Sequence, residues 1–377
     1  MKKIVCIFIL VIMSIFFPIR TCAQEQSDII KELGIDAQSI DDNLTPEAKH
    51  FIDENNISVE NTDAMTKITP SEVLIYIWDT FKESLDKPFK ILISLLVIML
   101  ISVLVNSMED SLSNKSMSGM FGVINVLISV GIISSSVSDC INTASDALVS
   151  GSQFMIGYVP VFAGITASSG SITSATAYNL LVILISQGAS QLFANTIVPV
   201  MSLCMAMGII EAINPDFKLS GITEGVKKAV TFIIGFVMVI FIGLMSLQSI
   251  VGASADTLGA KAAKYMVSNW IPFIGGAIAD TYTTVKHSLG LLRGGTGFLG
   301  IAVVFIMIVP PLIEIIAMRL IFSAADIISD LFGVQQMKIL LKNTGWILSI
   351  IFSILMCFSV MFIISTTMLM LVGLNVS

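Results

Sequence analysis

Residues 308–318 read Ile-Val-Pro-Pro-Leu-Ile-Glu-Ile-Ile-Ala-Met, and 111 positions earlier residues 197–207 read Ile-Val-Pro-Val-Met-Ser-Leu-Cys-Met-Ala-Met. Ile-Val-Pro and Ala-Met keep their spacing in both copies. A second pair lies at nearly the same offset: Tyr158-Val159-Pro160 followed by Gly164, and Trp270-Ile271-Pro272 followed by Gly276. Lys227 and Lys338 make a third. Apolar segments with prolines at matching depth, repeated along a chain, are how many membrane conduits and carriers are built. The competing explanation is chance recurrence, because Ile, Val and Met are common throughout.

Working outward, the whole chain fits that setting. Its 377 residues are 55% hydrophobic and 12% charged, with a mean hydropathy of +0.91. A soluble domain carries about 25% charged residues, and half that complement cannot cover a water-exposed shell. The composition therefore points to an all-α, polytopic helical membrane protein. His50 and His287 stand far apart, and the five cysteines show no ligand spacing. A metal site or disulfide framework is not expected, and neither is a cofactor.

Residues 1–23 read as a cleavable signal peptide: Lys2-Lys3, an apolar run from Ile4 to Phe17, then Thr21-Cys22-Ala23 before Gln24. Uncleaved, the run becomes an anchor helix. Residues 24–88 form an acidic extracytoplasmic segment with 15 acidic and 5 basic residues. From residue 89 onward there are 12 of each. Thr69-Pro70-Ser71-Glu72 is a capping box with proline at the first helical position. The helix it opens puts Val73, Leu74, Ile77, Phe81 and Leu85 on one apolar face, with Tyr76 and Trp78 suited to an interface. This segment is either a spacer or a docking element for an extracytoplasmic partner.

Residues 89–377 form the multi-span domain. Runs of about 20 apolar residues fall at 89–107, 119–138, 229–251, 298–318 and 346–370. The stretch 153–213 holds one to three crossings, and 269–284 is a weak span or a re-entrant hairpin. The count comes to seven, within a range of six to eight. Lys218, Lys227 and Lys228 place 214–228 in the cytoplasm, and Lys286 with Arg293 does the same for 285–297. Residues 320–343, with Asp326, Asp330, Lys338 and Lys342 on one face, read as an interfacial helix rather than a span. Residues 139–150 read as its shorter counterpart. The pseudo-repeats run from about 119 to 228 and from 229 to 343, parallel rather than inverted.

Two places stand out as candidate conduit or intramembrane polar sites. Ile165 to Thr176 is rich in small polar residues, among them Ser168, Ser169, Ser171 and Thr173. Such a run marks either a broken or re-entrant helix facing a watery cavity, close helix packing, or a surface loop. Its second-half counterpart is Ala277 to Thr284, with Asp280. Glu314 is the sharpest single residue. It follows Pro310 and Pro311, whose missing N–H groups free carbonyls one turn earlier and predict a kink. An intramembrane carboxylate by default faces protein or water. It binds a cation, relays a proton, pairs with Arg319 or stays protonated. In the first half Leu203 takes its place.

Several chemistries have no residues to carry them. There is no G-x-x-x-x-G-K-[ST] loop, no H-E-x-x-H and no span with a His near a Ser. The basic residues are scattered, which argues against nucleic acid as a partner. The expectation is a protein that is not an enzyme.

The layout of signal sequence, acidic head and two related multi-span halves is uncommon. With Gly157-Tyr-Val-Pro-Val-Phe-Ala-Gly-Ile-Thr-Ala-Ser-Ser-Gly170, Asn269-Trp-Ile-Pro-Phe-Ile-Gly-Gly276, Gly294-Gly295-Thr296-Gly297 and the Ile-Val-Pro-Pro segment, it resembles the stage III sporulation protein AE family of endospore-forming Firmicutes. The resemblance covers the chain after the signal. It implies a component of the channel or secretion-like complex that links mother cell and forespore after engulfment, seated in the outer forespore membrane. The implied partners are an ATPase, a membrane platform protein, ring-forming proteins and a forespore-side protein. It carries over no site residues. The expected role is permease-like or conduit-forming, with passage between the two halves near residues 165–176 and 277–284. The alternatives are a stand-alone secondary transporter and a non-conducting scaffold.

Overall fold

The computed structural model describes Lys49 and residues 70–109, 115–214, 216–270 and 275–371. The signal peptide and the acidic segment up to residue 69 lie outside the described residues, apart from Lys49. All regular structure among the described residues is helical, as the composition requires. Helix α1 spans Pro70–Glu83, α2 Asp86–Glu109 and α3 Lys115–Ser168. Helix α4 spans Ile172–Leu192 and runs through a π-helical turn, Phe193–Ile197, into α5, Val198–Ile213. Helices α6, Ser220–Trp270, α7, Gly275–Leu331, and α8, Gln335–Leu371, complete the chain.

Six of these helical stretches, counting α4 with α5, are long and apolar enough to cross a membrane among the described residues. Seven crossings were expected, within a range of six to eight, and the readings of two segments as interfacial helices are corrected. Residues 139–150 are not a separate interfacial helix but the middle of α3, a helix of 54 residues. Asp139 interrupts the apolar run, yet its carboxylate is met by Lys87 across the α2–α3 pair, so the helix has no cause to end there. The expected weak span or re-entrant hairpin at 269–284 falls on residues 271–274, which lie outside the described residues; α6 ends at Trp270 and α7 starts at Gly275. Residues 320–343 are likewise not one helix. They are the end of α7 and the start of α8, parted at Gly333.

The long helices also bear on the relative sense of the crossings. No candidate span lies between Ala262 and Leu292 among the described residues. By connectivity α3 and α6, separated by the one α4–α5 crossing, run in the same sense. At about 1.5 Å per residue α3, α6 and α7 are each about 80 Å long, well over the roughly 30 Å hydrocarbon core. Each is therefore tilted or carries an extension beyond its crossing.

Burial separates centre from periphery. Of the most apolar 18 residues, 78% are buried in the α7 span and 72% in α8, but 17% in α6. Helix α6 turns Phe232, Phe236, Val239, Leu247 and Ile250 outward. In lipid that face needs no further cover, since its backbone groups are satisfied within the helix.

The centre is closed by aromatic rings. Phe154, Tyr158 and Phe162 stack one turn apart along α3, at centroid distances of 5.3 and 5.5 Å. Tyr178 of α4 meets Phe162 edge-on at 5.6 Å, and Phe362 of α8 meets Tyr158 at 5.8 Å. Such pairs are worth about 0.5–1.5 kcal/mol each beyond area burial. The Tyr158 hydroxyl donates to the Thr296 carbonyl of α7 at 3.1 Å. Gly300 is what admits this ring, because a Cβ there would overlap its phenol end. Small residues that let helices approach closely are the usual basis of packing between membrane helices.

Candidate functional site

Glu314 lies on α7, which stays helical through Pro310 and Pro311. Its carboxylate is partly shielded, with the side chain 25% exposed. A cation within reach is Lys87 from the start of α2, with Nζ 4.0 Å from Glu314 Oε1. The same Nζ donates to Asp139 Oδ2 of α3 at 2.8 Å. Three helices thus place one ammonium between two carboxylates. Lys87 is a basic neighbour of Glu314 to which the sequence alone gave no pointer.

The cluster borders a cavity of about 470 Å³ between α2 and α3, lined by Glu83, Asp86, Lys87, Lys90, Ser94, Ser135, Ser136 and Asp139 among others. The Ser136 hydroxyl donates to the Ile132 carbonyl, so it adds polarity without a free proton donor. Lys87 and Asp139 are 53% and 45% exposed, so the pair is hydrated and its strength modest. Chemically the arrangement can hold a small cation or exchange partners around Lys87. No group of residues with metal-ligand character occurs among the described residues.

Helix α1 is anchored beside this cluster. Ile77 and Phe81, expected on its apolar face, pack with Tyr76 against Phe305, Val309 and Ile313 of α7. Trp78 is 58% exposed, stacks on Phe81 at 6.1 Å and lies under the Lys82 ammonium. Backbone bonds from Ser84 and Leu85 to Thr80 and Lys82 turn the chain from α1 into α2. Helix α1 therefore seats on the helix that carries Glu314, within about three turns of the carboxylate.

The Ser/Thr run takes a different form. Residues 165–176 are the end of α3, a tight turn and the start of α4. Gly170 has φ of 88°, its N–H bonds to the Ala167 carbonyl, and the Ser171 N–H reaches the Thr166 carbonyl. That is a Schellman closure, which needs a left-handed residue and so favours glycine. Gly333, with φ of 69°, closes α7 by the same pair of bonds, to Asp330 and Ser329. Ser169 and Ser171 are buried, Ser168 and Thr173 exposed. Thr166 and Ser169 donate to the Phe162 and Thr166 carbonyls. The start of α4 is capped from afar: Asp256 of α6 accepts from the Thr173 and Ser174 N–H groups at 2.8 and 3.0 Å. No local pattern announced that cap.

Ala277–Thr284 lies in regular helix at the start of α7, and the side chain of Asp280 lies outside the described residues. The contacts of Tyr158 with Thr296 and Gly300, and of Phe162 with Gly297, set α3 antiparallel to α7. The end of α3 is thus level with the region just before Thr296, about 30 Å along α7 from Glu314. Glu314 and the Ser/Thr run are not brought together.

These features define a polytopic helical membrane protein with a charged cluster where its N-terminal helix docks. The profile of the stage III sporulation protein AE family matches residues 55–373, and the chain belongs to that family. It is 22% identical over 358 residues to the stage III sporulation protein AE of Bacillus subtilis (strain 168), covering 94% of this chain and 88% of that protein. No solved structure matches it.

Proposed function

We propose that this sporulation membrane protein is the permease-like component of the complex joining mother cell and forespore after engulfment. Its place is the outer forespore membrane. Its N-terminal segment is extracytoplasmic and serves as a docking element for the other members of the assembly. Six crossings then put residues 214–228 and the α7–α8 turn in the mother-cell cytoplasm, where Lys218, Lys227, Lys228, Lys338 and Lys342 satisfy the positive-inside preference. The observation that carries the reading is the seating of α1 on α7 beside the Lys87–Asp139–Glu314 cluster. A partner that pulls on the N-terminal segment acts directly on the helix holding the intramembrane carboxylate. An ATPase and a ring-forming layer are the partners this requires, because the chain has no nucleotide loop of the Walker type.

Passage is along the polar groove between α2 and α3, completed by other copies or partners. Passage between the two halves is disfavoured by the aromatic rings that fill the space between α3, α4, α7 and α8. That same filled centre favours a second reading, a membrane scaffold that conducts nothing. Cysteine substitutions at Ser94 and Ser135 separate the two: labelling by water-borne thiol reagents in sporulating cells supports the groove, and complete protection supports the scaffold. Deletion of the gene is expected to stop forespore gene expression only after engulfment. A block before engulfment would remove the chain from this assembly. Uptake by purified protein alone in liposomes would make it a secondary transporter instead.

A further inference from the structure

Arg293 has a role that its place in a long helix does not explain. It is 3% exposed, and its Nε has no hydrogen-bond partner. One turn on, and on the same helix face, Thr296 is fully buried with its Oγ1 equally unpartnered. Tyr158 uses the carbonyl of Thr296, not its hydroxyl. Two unmet donors therefore share one face of α7.

Among the described residues no ion pair reaches the guanidinium. Helix α3 has no Asp or Glu from Ala147 to Ser168, α4 and α5 have none from Ile172 to Ile210, and α8 has none at all. Helix α7 itself has none from Thr281 to Ile313. Helix α6 carries Glu224 and Asp256, and Asp256 is already engaged by the Thr173 and Ser174 N–H groups. Asp139 and Glu314 belong to the Lys87 cluster, about 30 Å away along α7. A buried guanidinium without a counter-charge is strongly unfavourable, and an arginine fork matches phosphate better than any other side chain does. Arg293 stands on the part of α7 that faces the end of α3, where α3 turns into α4.

We propose that Arg293 and Thr296 form an oxyanion site that takes a phosphate group. The guanidinium supplies paired N–H donors, and the Thr296 hydroxyl supplies a third. The phosphate comes either from an anionic phospholipid headgroup or from a soluble phosphate compound. The site is separate from the Lys87 cluster and does not depend on the function proposed above.

The test uses the full-length protein in two arms. In nanodiscs of phosphatidylglycerol, native mass spectrometry counts retained phospholipid. In detergent stripped of lipid, thermal unfolding is followed as inorganic phosphate is added. A lipid source gives retained phosphatidylglycerol in the first arm, and a soluble source gives phosphate-dependent stabilisation in the second. Arg293→Gln is expected to weaken binding at least tenfold in whichever arm is positive. Arg293→Lys should keep part of it, and Thr296→Val should lose a smaller share. In lipid- and phosphate-free detergent, Arg293→Gln should unfold at a temperature no lower than the unsubstituted protein, since it removes an uncompensated charge. Failure of the unsubstituted protein to respond in either arm overturns the site, as does equal binding by Arg293→Gln. Should Arg293→Gln fail to fold, Thr296→Val and Arg293→Lys decide by the same comparison.

Discussion

The helix bearing Ile308-Val309-Pro310 is buried over 78% of its most apolar window, whereas the stretch bearing Ile197-Val198-Pro199 is buried over 33% of its own. The motif is shared, but the surroundings are not. Around Pro199 the chain has just passed through a π-helical turn, and Leu203, in the position matching Glu314, is 61% exposed. Around Pro310 the helix is regular, sits under α1 and presents Glu314 to Lys87. A lipid-facing helix tolerates most apolar changes, while a central one must meet neighbours on every side. The second hairpin, α6 with α7, therefore carries the constraint in its α7 arm, and its α6 arm is the most lipid-exposed of all.

Substitutions can break or sharpen that contrast, beginning with the largest. Tyr158→Ala removes the ring that packs between Phe154, Phe162 and Phe362 and should cost about 3–5 kcal/mol in unfolding assays in detergent. Phe232→Ala on α6, 70% exposed, should change stability by less than about 0.5 kcal/mol. Equal costs would mean that α6 is covered by a partner or a second copy. Gly300→Leu should cost about 1–3 kcal/mol or more, because the new side chain meets the buried Tyr158 ring. Gly188→Leu on α4, with open space around it, should be neutral or mildly stabilising through helix propensity. Asp256→Asn should cost about 1 kcal/mol through the weakened cap on α4. The smallest effect is the Lys87–Glu314 coupling. A double-mutant cycle with Lys87→Met and Glu314→Gln should return about 0.2–1 kcal/mol, since the lysine is half-exposed. A null cycle would leave Asp139 as the sole partner of Lys87.

Much of the fold was legible in the sequence. The helical membrane class followed from charge content, and α1 puts Ile77 and Phe81 against α7 as the spacing predicts, while its capping box at Thr69 lies outside the described residues. Helix continuity was harder to read. Hydropathy registers Asp139 as an interruption, but the lysine that answers it is 52 residues away. The break at Gly333 did have a local signal, a glycine directly after an apolar helical run, which the shared charged face of 320–343 obscured. For the site, Glu314 stood out because an intramembrane carboxylate is costly wherever it occurs. Its partner Lys87 did not, since a lysine at the mouth of a span is ordinary. Asp256 was invisible as a cap because the helix it caps lies 82–83 residues away, and the burial of Arg293 was hidden because a basic residue outside a span reads as a topology marker.

The account turns on α7 being the functional arm of the two. Its most direct test is a heat-resistant spore count from cells carrying Glu314→Gln or Leu203→Gln in place of the native residue, with membrane protein levels measured alongside. Glu314→Gln should lower the count at unchanged protein level, and Leu203→Gln should sporulate as the unsubstituted strain does. Normal spore counts with Glu314→Gln at full protein level would contradict it.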